Sequence, residues 1–220
     1  MKLLFLGCLI FFLSLRCSAE VPRDSALVNA YKLKQPHQFV IKTNPLAVVV
    51  GGLPYVAEYR VIAEATNGLR QSEQFAISYL GKGILLSLAE NLGSRGGATL
   101  KYSVSGVRVQ GAYKYYVGKK TAPTGLYLAL HLSYSTAHIV EHVGTLDHTI
   151  NESNFNGNVL FGDQFIFKNR MVLDLFLGLG TKKTTWSERW SGHYNQGLAP
   201  PYYFQGVANF MLGGSVGFSF

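Results

Sequence analysis

The segment from Tyr202 to Phe220 alternates between two kinds of side chain, and this alternation limits what the chain can fold into. Its even-numbered positions carry mainly aromatic and aliphatic residues, and its odd-numbered positions carry mainly small and polar ones. A period of two is typical of a β-strand with one apolar and one polar face. The end of the chain is therefore predicted to be a strand whose apolar face needs a cover, which is either a second sheet or lipid.

Similar alternation predicts strands through most of the chain. Between Leu126 and Tyr134, for example, leucines occupy every second position. The predicted strands are 38–50, 55–62, 73–80, 105–117, 126–134, 157–167, 171–180 and 202–220. Pro45 predicts a bulge or an interruption in the first of them. A count of about eight is even, as in bacterial single-chain membrane barrels.

Composition excludes several classes of protein. Hydrophobic residues make up 48% of the 220 residues and charged residues only 15%, which is too apolar for a disordered chain. The 24 glycines beside so little charge disfavour ordinary soluble helical and α/β domains. Beyond the first twenty residues no apolar run reaches the roughly 18 residues that a membrane-spanning helix needs. An all-β chain remains.

The connections between the predicted strands distinguish a sandwich from a membrane barrel. Transmembrane barrels alternate short periplasmic turns with longer extracellular loops. The predicted turns are 63–72, 118–125 and 168–170, and the predicted outer loops are 51–54, 81–101, 141–156 and 181–201. We therefore predict an all-β fold that forms a closed antiparallel transmembrane β-barrel of about eight strands. A soluble two-sheet sandwich is the alternative.

The N-terminal residues predict export. Lys2, an apolar stretch to Leu13 and the small residues before Glu20 are typical of a secretory signal peptide over 1–19. Residues 20–37 are then a short periplasmic leader and 38–220 the barrel. Cleavage would remove Cys8 and Cys17, which excludes a thiolate site, and would lower the net charge from +8 to +6 through loss of Lys2 and Arg16. The sequence contains no run of Lys and Arg with interleaved aromatic residues, so nucleic-acid binding is not predicted.

Five short sequences carry a resemblance to a known family. They are IKTNPL at 41–46 with EYR at 58–60, YKYY at 113–116 with APTGLY at 122–127, and LFLGLG at 175–180. Together they resemble small, uncharacterised outer-membrane β-barrels of Bacteroidota-type bacteria. The resemblance implies a location in the cell outer membrane of a Gram-negative bacterium and no known activity.

The last residues also resemble the signal by which the outer-membrane insertion machinery recognises barrels. Val216, Phe218 and Phe220 share one parity and end the chain. We therefore expect contacts with that machinery, with outer-membrane lipid and with lipopolysaccharide.

If the apolar positions face lipid, several polar side chains face the lumen. They are Glu58, Arg60, Arg108, Lys114, His131 and Asp174. The interior of a barrel of about eight strands is just filled by side chains, and buried charges must be paired. We predict that Glu58 and Asp174 balance Arg108 and Lys114, which favours a structural, adhesive or partner-binding role over a narrow pore.

An enzymatic alternative depends on His131 and Ser133, with Glu141 downstream. This pattern is similar to outer-membrane lipid A deacylases, in which serine attacks an ester and histidine acts as the base. Two features count against a lipid esterase here. His131 lies opposite the leucine-rich face, and Tyr134 follows Ser133 where the family has asparagine. We predict no catalysis and no cofactor.

Two further clusters lie in the predicted outer loops. The histidines His138, His142 and His148 with Asp147 match no recognised metal-site spacing, so no metal is predicted. The second cluster combines cations with aromatics at the predicted cell surface and consists of Lys182, Lys183, Trp186, Arg189 and Trp190. The hypothesis is that this surface loop contacts lipopolysaccharide headgroups or a surface partner.

Overall fold

The structure is a computed structural model that describes residues 39–45, 47, 56–93, 100–117, 120–143, 146–190, 193–196 and 208–220. The predicted signal peptide at 1–19, the leader at 20–37 and the predicted loop at 51–54 lie outside these residues. The described part of the chain contains nine strands and one helix. They are β1 (Phe39–Thr43), β2 (Val56–Thr66), β3 (Gln71–Lys82), α1 (Ile84–Gly93), β4 (Leu100–Tyr116), β5 (Gly125–Val143), β6 (Leu146–Ile166), β7 (Met171–Trp190), β8 (His193–Gln196) and β9 (Ala208–Ser219).

Eight of the strands form a closed antiparallel ring. Strands β1 to β7 pair in chain order, β7 pairs with β9, and β9 pairs with β1 through Val40 and Ser219. Strand β8 pairs with the last residues of β7, from Ser187 to Trp190. It lies on the same edge of β7 as β9, which pairs with the earlier part of that strand. The predicted all-β, closed, antiparallel barrel of about eight strands is confirmed. Where all eight strands overlap, closure leaves no open edge, so the backbone groups there find partners on both sides.

Tight turns and both ends of the described barrel chain lie at one end, which we call the turn end. The turns Asn67–Arg70 and Phe167–Arg170 join β2 to β3 and β6 to β7. At the same end, the N–H of Phe220 donates to the carbonyl of Phe39 at 2.8 Å. Ala122, in the connection between β4 and β5, is buried, and its N–H donates to the Leu69 carbonyl at 2.7 Å. The opposite end is called the loop end.

Four neighbouring strands are much longer than the others. Strands β2, β3 and β9 have 11 or 12 residues, whereas β4 to β7 have 17, 19, 21 and 20. The prediction of outer loops at 141–156 and 181–201 is therefore wrong over most of its described residues. Only two residues separate β5 from β6, and β7 continues to Trp190. We call the parts of β4 to β7 that rise beyond the shorter strands the outer extension, which comprises Leu100–Gly106, Thr136–Val143, Leu146–Asn154 and Thr181–Trp190.

The predicted loop at 81–101 corresponds to the connection between β3 and β4, but its described part contains α1, which was not predicted. Most residues of Ile84–Gly93 are good helix formers, and a glycine stands at the C-terminal end. Leu86 of α1 packs with Val56, Leu80, Val104 and Ala137 in an apolar cluster at the loop end. Within the described residues, no helix is long and apolar enough to cross a membrane.

Glycines make room for rings in the barrel interior. A Cβ on Gly162 would lie 2.5 Å from the Tyr127 hydroxyl oxygen, and one on Gly213 would lie 2.5 Å from Phe176 Cζ. Eight strands enclose little space, so a large ring needs a small residue opposite it. The need to accommodate these rings is one reason why the sequence is rich in glycine.

Candidate functional site

The barrel interior holds charged side chains where a soluble protein would have an apolar core. Two groups occur at different heights. The turn-end ion cluster consists of Lys42, Glu64, Lys114 and Asp174, and the loop-end ion cluster consists of Glu58, Arg60 and Arg108. All seven residues are buried. The turn-end ion cluster links β1, β2, β4 and β7, and the loop-end ion cluster links β2 with β4.

Lys42 lies at the centre of the turn-end ion cluster and is 1% exposed. Its ammonium group lies 2.6 Å from Glu64 Oε2 and 2.6 Å from Asp174 Oδ2. It also donates to Gln164 Oε1 at 2.9 Å. Lys114 contacts the same two carboxylates at 3.2 and 2.8 Å. Two cations therefore share two anions, which balances the charge of the cluster.

Hydroxyl groups occupy the remaining acceptor positions of these carboxylates. Tyr116 donates to Glu64 Oε1 at 2.7 Å, and Ser72 donates to the same oxygen at 2.6 Å. Tyr127 donates to Asp174 Oδ1 at 2.6 Å, and its ring lies 4.2 Å from the Lys114 ammonium. A buried ion pair is stable only if its lone pairs and protons are satisfied. The turn-end ion cluster meets this condition.

The loop-end ion cluster is organised around one carboxylate. Glu58 accepts from Arg108 at 2.5 Å and pairs with Arg60 at 2.8 Å. Ser78 and Gln110 also donate to Glu58, at 2.6 and 2.9 Å. Gln110 then contacts His131 Nε2 at 3.2 Å. The cluster thus extends from β2 to β5 through direct side-chain contacts.

The structure places all six predicted lumen residues in the interior, and it adds two that sequence reasoning missed. Lys42 and Glu64 occupy even-numbered positions, as the inward-facing residues of their strands do. Extending the alternation to these two positions could have identified them from sequence. Glu64 was missed because the second strand was predicted to end at Ile62, whereas β2 continues to Thr66. Lys42 lies in the strand whose continuity was doubted at Pro45; β1 ends at Thr43, just before that proline.

The residues of the enzymatic alternative do not form a triad in the structure. His131 and Ser133 both face the interior, but their partners differ. His131 contacts Gln110 and Asn158, whereas Ser133 Oγ accepts from Asn156 at 3.0 Å. Glu141 lies in the outer extension, where it contacts Tyr102 and His148. Histidine thus has neither the serine nor the carboxylate as a hydrogen-bond partner in the described contacts.

Little empty space remains between the two ion clusters. A small cavity lies among Arg60, Gln110, Lys114, His131 and Asp174. It has room for about one water molecule. The side chains of the two clusters therefore obstruct the lumen at two heights.

The barrel exterior has the opposite character and forms what we call the apolar band. Its side chains point outward and are exposed, with Leu130 at 65% and Leu212 at 78%. Aliphatic members are Val61, Ile77, Val107, Leu128, Leu130, Val159, Leu175, Leu177, Leu179 and Leu212. Exposed aromatics lie towards both ends, with Tyr59 stacked on Tyr79 near the loop end and Phe165, Phe218 and Phe220 near the turn end. Val216 is exposed on the same face of β9 as Phe218.

In the outer extension the outward face is mainly polar, and the described carboxylates of the extension lie on its inward face. Carboxylates of the described side chains face inward, namely Glu141, Glu152 and Glu188, and the outward positions include Lys101, Lys183 and Arg189. The predicted surface cluster is consequently divided. Lys183 and Arg189 point outward, whereas Lys182 and Trp186 point inward, and Trp186 is only 8% exposed. The side chain of Trp190 lies outside the described set.

The inward face of the outer extension carries a chain of polar side-chain contacts. Tyr102 donates to Glu141 at 2.8 Å, and Glu141 contacts His148 Nδ1 at 3.2 Å. His148 Nε2 lies 3.5 Å from Glu188, which accepts from Trp186 at 2.5 Å. The side chain of Asp147 is outside the described set, and His138 contacts Asn151 on the outward face at 2.7 Å. Among described residues no group of three or more His, Cys, Asp or Glu side chains is suited to a metal ion.

Helix α1 is attached to the free edge of β4. Above Ser105, β4 has no pairing with β3, and there Glu90 of α1 accepts from the backbone N–H of Tyr102. Lys82 donates to the other oxygen of Glu90. The ammonium of Lys82 and the N–H of Tyr102 together lower the pKa of the Glu90 carboxyl. The helix therefore covers an edge that another strand could otherwise join.

Comparison with known proteins identifies no relative of this chain. No family model, no curated protein and no solved structure matches the chain. The resemblance to small outer-membrane barrels stays a prediction, and function has to be argued from the barrel itself.

Proposed function

We propose that the protein is a non-conducting β-barrel of a Gram-negative outer membrane that holds the outer extension above the bilayer as a structural, adhesive or partner-binding surface. The observation that carries the proposal is the inverted polarity of the barrel. Apolar side chains cover its outside, whereas paired charges fill its inside. Exposure of such an apolar exterior to water is unfavourable, whereas contact with the hydrocarbon of a bilayer is favourable.

Strand length supports the membrane assignment. A tilted transmembrane β-strand needs about 9–11 residues, and β2, β3 and β9 have 11 or 12. The four longer strands exceed that length, and their excess lies at the loop end. The exposed aromatics near both ends of the apolar band fit the girdles that membrane barrels carry at the two interfaces.

The direction of insertion follows from the connections. Tight turns lie at one end, and membrane barrels place such turns in the periplasm. The outer extension then projects from the cell. The exposed Val216, Phe218 and Phe220 on the last strand are available to the insertion machinery, which supports the expected partner. The signal peptide predicted at 1–19 is compatible with this route.

The lumen supports a closed barrel rather than a pore. Inside the barrel, Lys42 of β1 pairs with Asp174 of β7 and Arg108 of β4 pairs with Glu58 of β2. The cavity between the clusters has room for about one water molecule. The proposal includes no catalytic step, since Ser133 and His131 have other partners.

Two measurements on the purified full chain test the proposal together. In detergent, the unheated protein should migrate differently from the boiled protein on a gel, because a closed barrel resists unfolding. In planar bilayers it should give no conductance steps. Equal migration before and after boiling would contradict the membrane barrel, and regular conductance steps would contradict the closed lumen.

A further inference from the structure

The outward face of the outer extension begins where the apolar band ends. Lys183 pairs directly with Phe155, and Thr136 pairs with Val107. Residues directly opposite each other on antiparallel strands have Cβ atoms about 4.5–5.5 Å apart. The polar face is thus continuous with the band. In a bilayer it would lie at the level of the headgroups on the outer side.

The described side chains of this face are mainly cationic or polar and uncharged. Cations occur at Lys101, Lys183 and Arg189, and the other described outward positions there carry mainly hydroxyl, amide and imidazole groups, such as Thr185, Asn151 and His138. The described carboxylates of the extension, Glu141, Glu152 and Glu188, lie on the opposite face. Among the described side chains, the outward face of the extension therefore carries cations without carboxylates, whereas the inward face carries the carboxylates together with Lys182.

We propose that the outward face of the outer extension binds the phosphorylated sugar headgroup of a glycolipid in the outer leaflet. The inference rests on the proposed function, because it takes the apolar band as the part in hydrocarbon. Lys and Arg form charge-assisted hydrogen bonds with phosphate. Hydroxyl and amide groups donate to and accept from sugar hydroxyls. The face offers both chemistries.

The alternative partner of a flat cationic face is an ordinary anionic phospholipid. A phospholipid headgroup presents one phosphate close to the hydrocarbon, so it would use Lys183 beside Phe155. Lys101 is paired with His142, several rows farther along β4 and β5 than the Val107–Thr136 pair. At about 3.4 Å per residue along a strand, a ligand that engages both lysines needs a tall, multiply phosphorylated headgroup.

The test compares two double variants of the full chain. Lys101→Gln with Lys183→Gln removes two outward cations from the extension. Lys120→Gln with Lys168→Gln removes two exposed cations from the turn end and serves as the matched control. Binding is measured in detergent by native mass spectrometry with bisphosphorylated lipid A that carries its inner-core sugars. The comparison ligands are the same glycolipid without phosphates and phosphatidylglycerol.

The wild type and the control should bind the phosphorylated glycolipid about tenfold more tightly than the extension variant does, as expected for lost charge-assisted contacts. Removal of the phosphates should abolish that difference. Equal weakening in both variants, or equal preference for phosphatidylglycerol, would overturn the inference. If the extension variant loses its heat-dependent migration, Thr185→Glu supplies the second comparison and should also weaken binding.

Failure of the proposed function gives a different result. A wild-type chain that does not enter bilayers contradicts the membrane barrel itself. A chain that enters bilayers and shows no preference for the phosphorylated glycolipid overturns this inference alone.

Discussion

Strands β4 to β7 pass through two regions that share one backbone geometry and differ in side-chain chemistry. In the apolar band, Leu128 and Leu177 point outward while Lys114 and Asp174 point inward. In the outer extension the outward face is mainly polar and includes cations, and the inward face carries the described carboxylates beside apolar side chains such as Val104 and Ala137. The ladder of paired residues continues from one region to the other. The difference therefore teaches that the surroundings of the outward face, not the strand itself, determine the sequence pattern.

The two regions should also differ in what a charge change costs. Charges inside the barrel are paired in a space without bulk water, so removal of one partner leaves another charge uncompensated. Outward charges in the extension are exposed, where a substitution usually changes stability by no more than about 0.5 kcal/mol. Variants in the two regions sharpen or break this comparison.

The largest effect is expected for Lys42→Met. It leaves Glu64 and Asp174 with Lys114 as their shared cation, and loss of one member of a buried ion pair costs about 3–5 kcal/mol. The measurement is the urea midpoint of unfolding in lipid vesicles. Lys120→Met, at an exposed turn-end lysine, is the control and should remain close to wild type.

A second substitution tests whether the cost comes from charge imbalance. Lys42→Met combined with Asp174→Asn again leaves one cation and one anion in the turn-end ion cluster. We expect the pair to be less destabilising than the sum of the single variants, with a coupling of about 0.5–3 kcal/mol. An unchanged midpoint for Lys42→Met would mean that the cluster does not form as described.

An intermediate effect is expected for a lysine introduced into the apolar band. Leu130→Lys places a cation at a position that is 65% exposed between Tyr113 and Val159. On the lipid face of a barrel this costs about 2–4 kcal/mol near the bilayer midplane. Thr136→Lys, on the same face of the same strand but in the extension, should cost less than about 0.5 kcal/mol. Equal costs in vesicles would remove the distinction between the two regions.

The smallest effect is expected for Glu90→Ala on α1. It removes the acceptor for the Tyr102 N–H and the partner of Lys82, and a hydrogen bond contributes about 0.5–1.5 kcal/mol net. Amide hydrogen exchange at Tyr102 should therefore accelerate by up to about tenfold. Asn91→Ala, at an exposed position of the same helix, is the control. Unchanged exchange in the Glu90 variant would show that α1 does not protect this edge.

The fold was predictable from sequence where the two faces of a strand differ. Between Leu126 and Tyr134 the contrast is sharp, and the strand there was predicted. Around His138 and Asn151 the outward face is polar as well, so the contrast between the two faces is weak, and residues 141–156 were predicted to be a loop. Helix α1 was missed because a ten-residue apolar segment between strands has no period of two to mark it.

The interior charges were also predictable only where the two faces of a strand differ clearly. Arg108, Lys114 and Asp174 interrupt strongly alternating strands, so their inward direction follows from parity. Glu64 lies beyond the last apolar residue of the predicted second strand, and only the pairing with β3 shows that β2 continues. Which cation meets which carboxylate depends on register around the closed ring, and no single strand contains that information.

The most direct test of the central claim asks which outward side chains water reaches. Single cysteines replace Leu130, Leu177 and Phe210 in the apolar band, and Thr136 and Thr185 in the outer extension. The sequence contains Cys8 and Cys17 alone, both in the predicted signal peptide. In vesicles, a membrane-impermeant maleimide should label the extension cysteines quickly and the band cysteines only after detergent is added. Rapid labelling of the band cysteines in intact vesicles would contradict the account.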